Sequence, residues 1–175
     1  MPIASLIRTI PHHPKPGVMF RDITTLLKDP VGFRLAINDL VRHCHDKEID
    51  KVAAIESRGF IVGAPLAFAL GAGFVPLRKK GKLPAQTVGR DYELEYGADR
   101  VEMHVDAVCA GERVLLVDDL IATGGTAQAA CKLIESVGAL VVECCFVIDL
   151  PELGGRARLE QEGYAVHALV QFPGH

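Results

Sequence analysis

Long apolar runs, an excess of positive charge and a disulfide pattern are all missing from this sequence of 175 residues. Without an apolar run of about 20 residues, the chain is not expected to span a membrane. Its first 17 residues contain four prolines and no continuous apolar core, so we expect no signal peptide. A net charge of −3 offers no bulk attraction to nucleic acid or to a membrane surface, so neither is predicted as a partner.

The sequence contains five cysteines, an odd number at irregular spacings, so no disulfide framework is predicted. Cys131, Cys144 and Cys145 stand in apolar patterns and are predicted to be buried thiols, which suits a reducing cytoplasm. The run His43-Cys44-His45 is compatible with a metal site. Adjacent residues on a helix point in different directions, however, so solvated histidines beside a core cysteine are the favoured interpretation.

The composition, 49% hydrophobic and 23% charged, is that of an ordinary globular protein, and the length predicts a single domain over residues 1–175. Strand and helix patterns alternate, which predicts an α/β fold with an open, mostly parallel, twisted sheet of about five strands flanked by helices. Predicted strands cover residues 51–56, 74–77, 114–117, 139–148 and 165–171. A hairpin is predicted with strands 92–96 and 101–105 and a turn at 97–100.

The stretch Val114–Thr126, VLLVDDLIATGGT, carries the strongest chemical signal. Four apolar residues predict a strand buried on both faces, and a helical pattern follows the glycines. A glycine-rich turn that opens a helix can direct several backbone N–H groups at one anion. This turn is therefore predicted to bind a phosphate monoester through its five residues, Ala122, Thr123, Gly124, Gly125 and Thr126.

The acidic pair that precedes this turn, Asp118 and Asp119, would repel a phosphate unless it faces another group. Sugar hydroxyls and a substrate-borne Mg²⁺ are the plausible partners of two carboxylates. A phosphate beside a diol describes a ribose 5-phosphate. The alternative is a tight strand–helix turn with exposed aspartates. The stretch is neither a Walker loop, since no lysine follows the glycines, nor a GxGxxG motif.

VLLVDDLIATGGT resembles the phosphoribosyl pyrophosphate (PRPP) motif of the type I phosphoribosyltransferases, and its paired Asp and ATGGT ending resemble the adenine-specific branch. The resemblance covers about the whole chain but becomes weak after Asp149. It implies a small N-terminal hood at about residues 1–30 and a flexible catalytic loop or hairpin at about 78–105. The segment PGVMFRDI resembles the family's hood motif.

The resemblance implies that Phe20 stacks on adenine, that the backbone C=O of Met19 and N–H of Arg21 read its edge, and that Leu120 covers the opposite face. Taken from the residues alone, Val18–Ile23 is instead a short edge strand with Phe20 in the core.

Two further segments resemble family loops that bind pyrophosphate. ESRGF supplies Ser57 and Arg58, and the cationic run RKKGKLP supplies Arg78, Lys79 and Lys82. In the family, the first arginine of that run reaches across a dimer interface, which implies a homodimer with Arg78 shared between sites. From the residues alone, the charge run is a solvated surface and Arg58 is a solvated residue at a helix start.

LEYG is another family signature, and the resemblance implies that Glu95 and Tyr96 come over the reacting sugar. The implied catalytic residues are then Arg58, Lys82, Glu95 and Tyr96. An exposed hairpin strand is the alternative for LEYG.

The implied reaction joins adenine and PRPP to give AMP and pyrophosphate, with no covalent nucleophile. Mg²⁺ would be bound mainly by the substrate, with no dedicated protein site beyond Asp118 or Asp119. Two alternatives stay open: the same transfer to another purine base, such as xanthine or hypoxanthine, and a non-catalytic PRPP-sensing regulator on the same fold.

Overall fold

The structure, a computed structural model, describes residues 2–94 and 96–174. The strands, in chain order, are β1 (Arg8–Pro11), β2 (Met19–Asp22), β3 (Lys51–Ile55), β4 (Gly73–Lys79), β5 (Thr87–Glu93), β6 (Ala98–His104), β7 (Arg113–Ile121), β8 (Leu140–Asp149) and β9 (Val166–Gln171). The α-helices are α1 (Thr24–Leu27), α2 (Pro30–Cys44), α3 (Arg58–Leu70), α4 (Gly125–Ser136) and α5 (Gly155–Gln161). No helix among these residues is long and apolar enough to cross a bilayer.

The main sheet has seven strands in the order β5-β6-β4-β3-β7-β8-β9. The five strands from β4 to β9 in that order pair in parallel, which confirms the predicted open, mostly parallel sheet. The β5–β6 hairpin pairs antiparallel with the β4 edge and extends the sheet to seven strands. Strands β1 and β2 form a separate antiparallel pair in the predicted hood region.

Strand β7 is buried on both faces, as its continuous apolar run predicts. Val114 and Leu116 belong to one core cluster, which α4 and α5 cover. Leu115 and Val117 belong to the other cluster, which α2 and α3 cover. Core side chains therefore pack against β7 on both faces of the sheet.

The β5–β6 hairpin lies several residues earlier than the sequence predicts. Strand β5 begins at Thr87, and β6 already begins at Ala98, so the predicted turn at residues 97–100 is wrong. The N–H of Leu94 donates to the carbonyl of Gly97 at 2.9 Å. The sequence does not predict the start of β5, because this edge strand is only half buried and two of its residues, Arg90 and Asp91, are exposed and charged. Arg78 and Lys79 lie in β4, not in the loop that follows.

The interpretation of His43 as a solvated residue is wrong. Its Nε2 lies 2.9 Å from the Glu143 carboxylate, and its ring stacks on His167 at 3.6 Å. Cys44 is buried as predicted, with its Sγ 3.9 Å from that of Cys145. Glu143 and the two thiols bring three donor atoms within 4.8 Å, but each already has a partner inside the protein.

The hood strand β2 is anchored through Asp22, which is only 8% exposed. Its carboxylate accepts from Arg8 Nε at 3.0 Å and from the N–H of Thr24 at 2.9 Å. These hydrogen bonds, led by the one from Arg8, lower the pKa of Asp22 to about 2. Phe20, two residues earlier, is half buried, so its predicted place in the core is wrong, whereas the predicted edge strand is confirmed.

Asp22→Asn should lower the free energy of unfolding at pH 7 by about 1–3 kcal/mol, the worth of a hydrogen bond to a charged group. Because the folded-state pKa lies below the ordinary value of 3.8, this stabilisation is present above pH 3.8 and is lost as the pH falls towards about 2. Urea unfolding from pH 7 to pH 3 should therefore show the difference from wild type shrinking. Asp106→Asn, at an exposed site, is the control, and a gap that stays constant with pH would contradict this role for Asp22.

Candidate active site

Several predicted site residues meet where β3, β4 and β7 end, on the edge of the sheet where open α/β folds bind ligands. Two adjoining clefts of about 250 and 310 Å³ lie there and share Glu56, Lys79 and Asp118. The first cleft is lined further by residues that include Arg78, Tyr92, Leu94 and Thr126. The second is completed by Ser57, Arg58 and Asp119.

The glycine-rich turn leads directly into α4. Gly124 adopts a positive φ of 82° and caps the helix, a conformation that other residues rarely take. The first intrahelical hydrogen bond runs from the N–H of Gln128 to the carbonyl of Gly124 at 2.9 Å. The N–H groups of residues 125–127 therefore have no intrahelical acceptor, which is the arrangement that binds a phosphate.

Helix α5 packs against this turn, a contact that the sequence does not predict. The N–H of Gly155 donates to the carbonyl of Ala122 at 2.9 Å. A Cβ atom on Gly155 would overlap that carbonyl and lie 2.8 Å from the nitrogen of Gly124. Arg158, one turn further along, places its Nη1 3.5 Å from the carbonyl of Thr123. The adjacent glycines 154 and 155 were the only local signal of this close approach.

The acidic pair lies inside β7, which continues to Ile121 instead of ending at Val117. Asp119 is 5% exposed and accepts from Arg58 Nε at 2.5 Å. Asp118 lines both clefts, and its Oδ1 accepts from the N–H of Asp119 at 2.8 Å. Burial, reinforced by the neighbouring Asp119 carboxylate, raises the pKa of Asp118 well above its usual range.

The cationic side chains are held by acids around the same clefts. Lys79 Nζ lies 3.2 Å from Asp99, which is the main reason that the pKa of Lys79 is raised. Glu56, absent from the predicted set, accepts from the backbone N–H of Lys79 at 2.6 Å and lies 3.5 Å from Arg78 Nε. Lys82 is exposed and lines neither cleft, so the structure does not bring it to the other predicted residues.

The hairpin meets the clefts through residues other than those predicted. Glu95 lies outside the described residues, and Tyr96 is 81% exposed with its ring 5.9 Å from Lys15 Nζ in the hood loop. The Tyr92 hydroxyl donates to Asp99 Oδ2 at 3.4 Å, and Tyr92 and Thr126 line the first cleft together. Tyr92 and Leu94 therefore form the hairpin's side of the first cleft.

Among the predicted base-binding residues, Phe20 approaches the second cleft through Arg58. The Phe20 ring lies 5.8 Å from the Arg58 guanidinium and 5.1 Å from the ring of His13. Leu120 is half buried and packs against the core cluster beneath α2 and α3. The Arg21 side chain turns away to Thr9 and to the C-terminal segment.

Comparison with known proteins identifies the family. The model of the phosphoribosyl transferase domain matches residues 25–165. The adenine phosphoribosyltransferase of Nitrosospira multiformis is 66% identical over 175 residues, a match that covers 100% of both chains. The chain belongs to the adenine phosphoribosyltransferase family. Membership confirms the predicted family and enzyme class, while the role of each side chain stays a prediction.

Solved adenine phosphoribosyltransferases share the fold closely. The structure from Thermoanaerobacter pseudethanolicus has a TM-score of 0.93 at 50% identity, covering 97% of this chain and 98% of that one. The Saccharomyces cerevisiae enzyme, solved with an imino-altritol bisphosphate and adenine, has a TM-score of 0.89 at 39% identity and covers 96% of each chain. The predicted fold class is thereby confirmed.

The donor set of an adenine phosphoribosyltransferase site should accept a hard divalent cation. Glu56, Asp118 and Asp119 all line the second cleft with carboxylate oxygens, the ligand type that Mg²⁺ prefers. Asp119 is already paired with Arg58, and Glu56 already accepts from Lys79. Asp118, which lines both clefts, is then the carboxylate best placed to approach a substrate-bound Mg²⁺.

Proposed function

We propose that the protein transfers the 5-phosphoribosyl group of PRPP to adenine, giving AMP and pyrophosphate in purine salvage. The observation that carries this proposal is the junction of β7 and α4: Asp118 and Asp119 line the second cleft together with Arg58 and Lys79, and Thr126 at the end of the glycine turn lines the adjoining first cleft. The yeast relative, crystallised with adenine and a bisphosphate, supports the choice of base and of a doubly phosphorylated sugar.

Binding of the 5-phosphate is assigned to the turn that joins β7 to α4. The free N–H groups at the start of α4 donate to the phosphate oxygens, and the helix dipole adds partial positive charge. The five residues of the turn, Ala122, Thr123, Gly124, Gly125 and Thr126, hold this end of the substrate. Thr126 lines the first cleft beside Tyr92 of the hairpin.

The ribose ring lies over the acidic pair. Departure of pyrophosphate from the anomeric carbon develops oxocarbenium character on the sugar, as in glycoside cleavage. Asp118 and Asp119 accept hydrogen bonds from the two ring hydroxyls and hold the ring while the bond breaks. Tyr96 and Glu95 are assigned to cover the reacting carbon and exclude water, which would hydrolyse PRPP.

Pyrophosphate is assigned to the second cleft, where Ser57, Arg58 and Lys79 meet its oxygens. The positive charges of Arg58 and Lys79 stabilise the negative charge that grows on the leaving group. Mg²⁺, when bound, would neutralise part of the same charge, with Asp118 or Asp119 at its edge. Arg78, which lies in β4 and lines the first cleft, is assigned to the same leaving group, and Lys82 joins it once the loop after β4 closes.

Adenine is assigned to the space between Phe20 and Leu120, read by the C=O of Met19 and the N–H of Arg21. An oxo-purine would place its own carbonyl against the C=O of Met19 and its ring N–H against the N–H of Arg21. Each buried unpaired group costs about 1–3 kcal/mol, so two mismatches discriminate by roughly 10²–10⁴.

Because backbone groups read the base, Met19→Ala should keep the preference for adenine over hypoxanthine. Phe20→Ala should weaken both bases alike, since stacking does not depend on the edge of the base. Measurement of kcat/KM for the two bases on each variant separates these roles. A Met19→Ala enzyme that accepts hypoxanthine readily would show that the side chain sets the choice.

The test of the activity is formation of AMP from adenine and PRPP with Mg²⁺, followed by chromatography, with guanine, hypoxanthine and xanthine as competing bases. We expect AMP and pyrophosphate in equal amounts, with adenine preferred. Preferred turnover of an oxo-purine would replace the base assignment. PRPP binding without turnover of any base would favour the regulator alternative.

A homodimer is proposed from the outer surface of α3. The chain carries no charged residue from Gly59 to Leu77, and Phe68, Ile61 and Phe74 on this stretch are 90%, 44% and 37% exposed. An apolar surface of this kind is typical of protein–protein contacts. It begins directly after Arg58 and adjoins β4, which fits the idea that Arg78 reaches a partner's site.

The buried free thiols, among them Cys131, Cys144 and Cys145, support a cytoplasmic location.

Phe68→Glu should convert the dimer to a monomer, because a charge would replace the most exposed apolar side chain of this surface. Sedimentation velocity measures the change. Val31→Glu on α2, which is 71% exposed, is the matched control and should leave the dimer intact. A Phe68→Glu protein that sediments as wild type would contradict this interface.

A further inference from the structure

The side chain of Arg21 connects the two ends of the chain. Its Nη1 donates to Thr9 Oγ1 at 2.5 Å, and its Nη2 donates to the carbonyl of Pro173 at 2.8 Å, across 152 positions of sequence. The guanidinium also lies 4.6 Å from the centre of the Phe172 ring, within the range of a cation–π interaction. Phe172 and Pro173 together are called the C-terminal clamp.

The clamp has a fixed position because the sheet anchors it. The N–H of Phe172 donates to the carbonyl of Asp149 at 3.1 Å, just beyond the parallel pairing of β9 with β8. Gln171 Nε2 donates to the Asp149 carboxylate at 3.1 Å, and Asp149 is completely buried. Phe172 also packs against the core cluster beneath α2 and α3.

Arg21 is equally constrained from its own side. Its Nε is buried and has no hydrogen-bond partner among the described residues, so the guanidinium is held by its two terminal nitrogens and the aromatic ring. The next residue, Asp22, is tied to Arg8 and Thr24. The backbone of β2 is therefore located by contacts at Arg21 and Asp22, while Phe20 between the hood and Arg58 is only half buried.

We infer that the C-terminal clamp positions the base-reading strand: by holding the Arg21 side chain, Phe172 and Pro173 set where the β2 backbone stands relative to the bound base. This inference rests on the proposed function, since it assigns the N–H of Arg21 and the C=O of Met19 to adenine. The last residues of the chain, which carry no recognisable motif, then act on base affinity without touching the base.

Phe172→Ala, and separately a chain ending at Phe172, should raise KM for adenine by about tenfold, the effect of losing one hydrogen bond or ring contact to a charged group. The kcat at saturating adenine and the Kd for PRPP should stay within about twofold of wild type, because the phosphate turn and the cationic residues are not part of the clamp. Phe172→Tyr keeps the ring and should restore the wild-type KM. Leu140→Ala, exposed at the opposite end of β8, is the control.

Amide hydrogen exchange of residues 18–23 tests the clamp without any substrate. Both clamp variants should exchange these amides faster than wild type, whereas Leu140→Ala should not. Unchanged exchange, or a KM for adenine equal to wild type in Phe172→Ala, would overturn the inference. Should wild type fail to convert adenine, the proposed function falls, and the exchange measurement still decides whether the clamp holds β2.

Discussion

Gly125→Val should abolish PRPP binding in a protein that stays folded. A Cβ atom at Gly125 would lie 3.6 Å from Arg158 Nη1 and 3.7 Å from the carbonyl of Glu93, which are ordinary van der Waals distances. Gly125 also lies within the helix and not among the glycines of positive φ, so valine requires no unusual backbone. The folded chain therefore has room for the side chain.

In the Gly125→Val variant the phosphate has no space to bind, because the valine methyl groups lie beside the free N–H groups at the start of α4. Loss of two hydrogen bonds to a charged group, at about 1.5–3 kcal/mol each, corresponds to more than ~100-fold in affinity. Titration calorimetry with PRPP and Mg²⁺ measures this, and circular dichroism checks the fold. Ser136→Val, at the far end of the same helix, should bind normally. Near-normal affinity in Gly125→Val would refute the phosphate assignment.

Arg58→Ala should lower kcat by about 10²–10³, the loss typical of removing one group that stabilises transition-state charge. Arg58 lines the second cleft, its Nε lies 2.5 Å from Asp119, and its guanidinium lies 5.8 Å from the centre of the Phe20 ring. It is therefore next to the residues assigned to pyrophosphate, to ribose and to adenine. Its removal also leaves the buried Asp119 carboxylate without its cation. Both effects act on the sugar and the leaving group more than on adenine.

Steady-state kinetics with each substrate varied, at a temperature where wild type and variant are both folded, provides the measurement. Arg58→Lys keeps the charge without the planar guanidinium, and its kcat should fall between the other two. A variant with normal kcat and only a raised KM for adenine would show that Arg58 serves the base and not the leaving group.

Features formed by contiguous residues could be predicted from the sequence. The strand β7, the acidic pair, the glycine turn and α4 follow one another within Val114–Ser136, so their order alone defines the site's centre. The sequence predicts too early an end for β7, because aspartates such as Asp118 and Asp119 are common in loops. In the structure, β7 continues to pair with β8 as far as Ile121. The parallel sheet followed from the alternation of strand and helix patterns.

Contacts between distant residues could not be predicted in the same way. Glu56 holds the end of β4 across 23 positions, and Arg21 reaches Pro173 across 152. His43 meets Glu143 across 100 positions, and nothing near His43 marks that partner. Such pairs depend on how the strands are ordered in the sheet, which local patterns in one sequence do not specify.

A crystal structure of the protein with AMP bound tests the central claim most directly. We expect the 5-phosphate within hydrogen-bonding distance of the N–H groups of residues 125–127, with the ribose hydroxyls at Asp118 and Asp119. We also expect the adenine ring between Phe20 and Leu120, its edge against the backbone of Met19 and Arg21. A phosphate bound away from the start of α4, or a base outside the hood, would contradict the central claim.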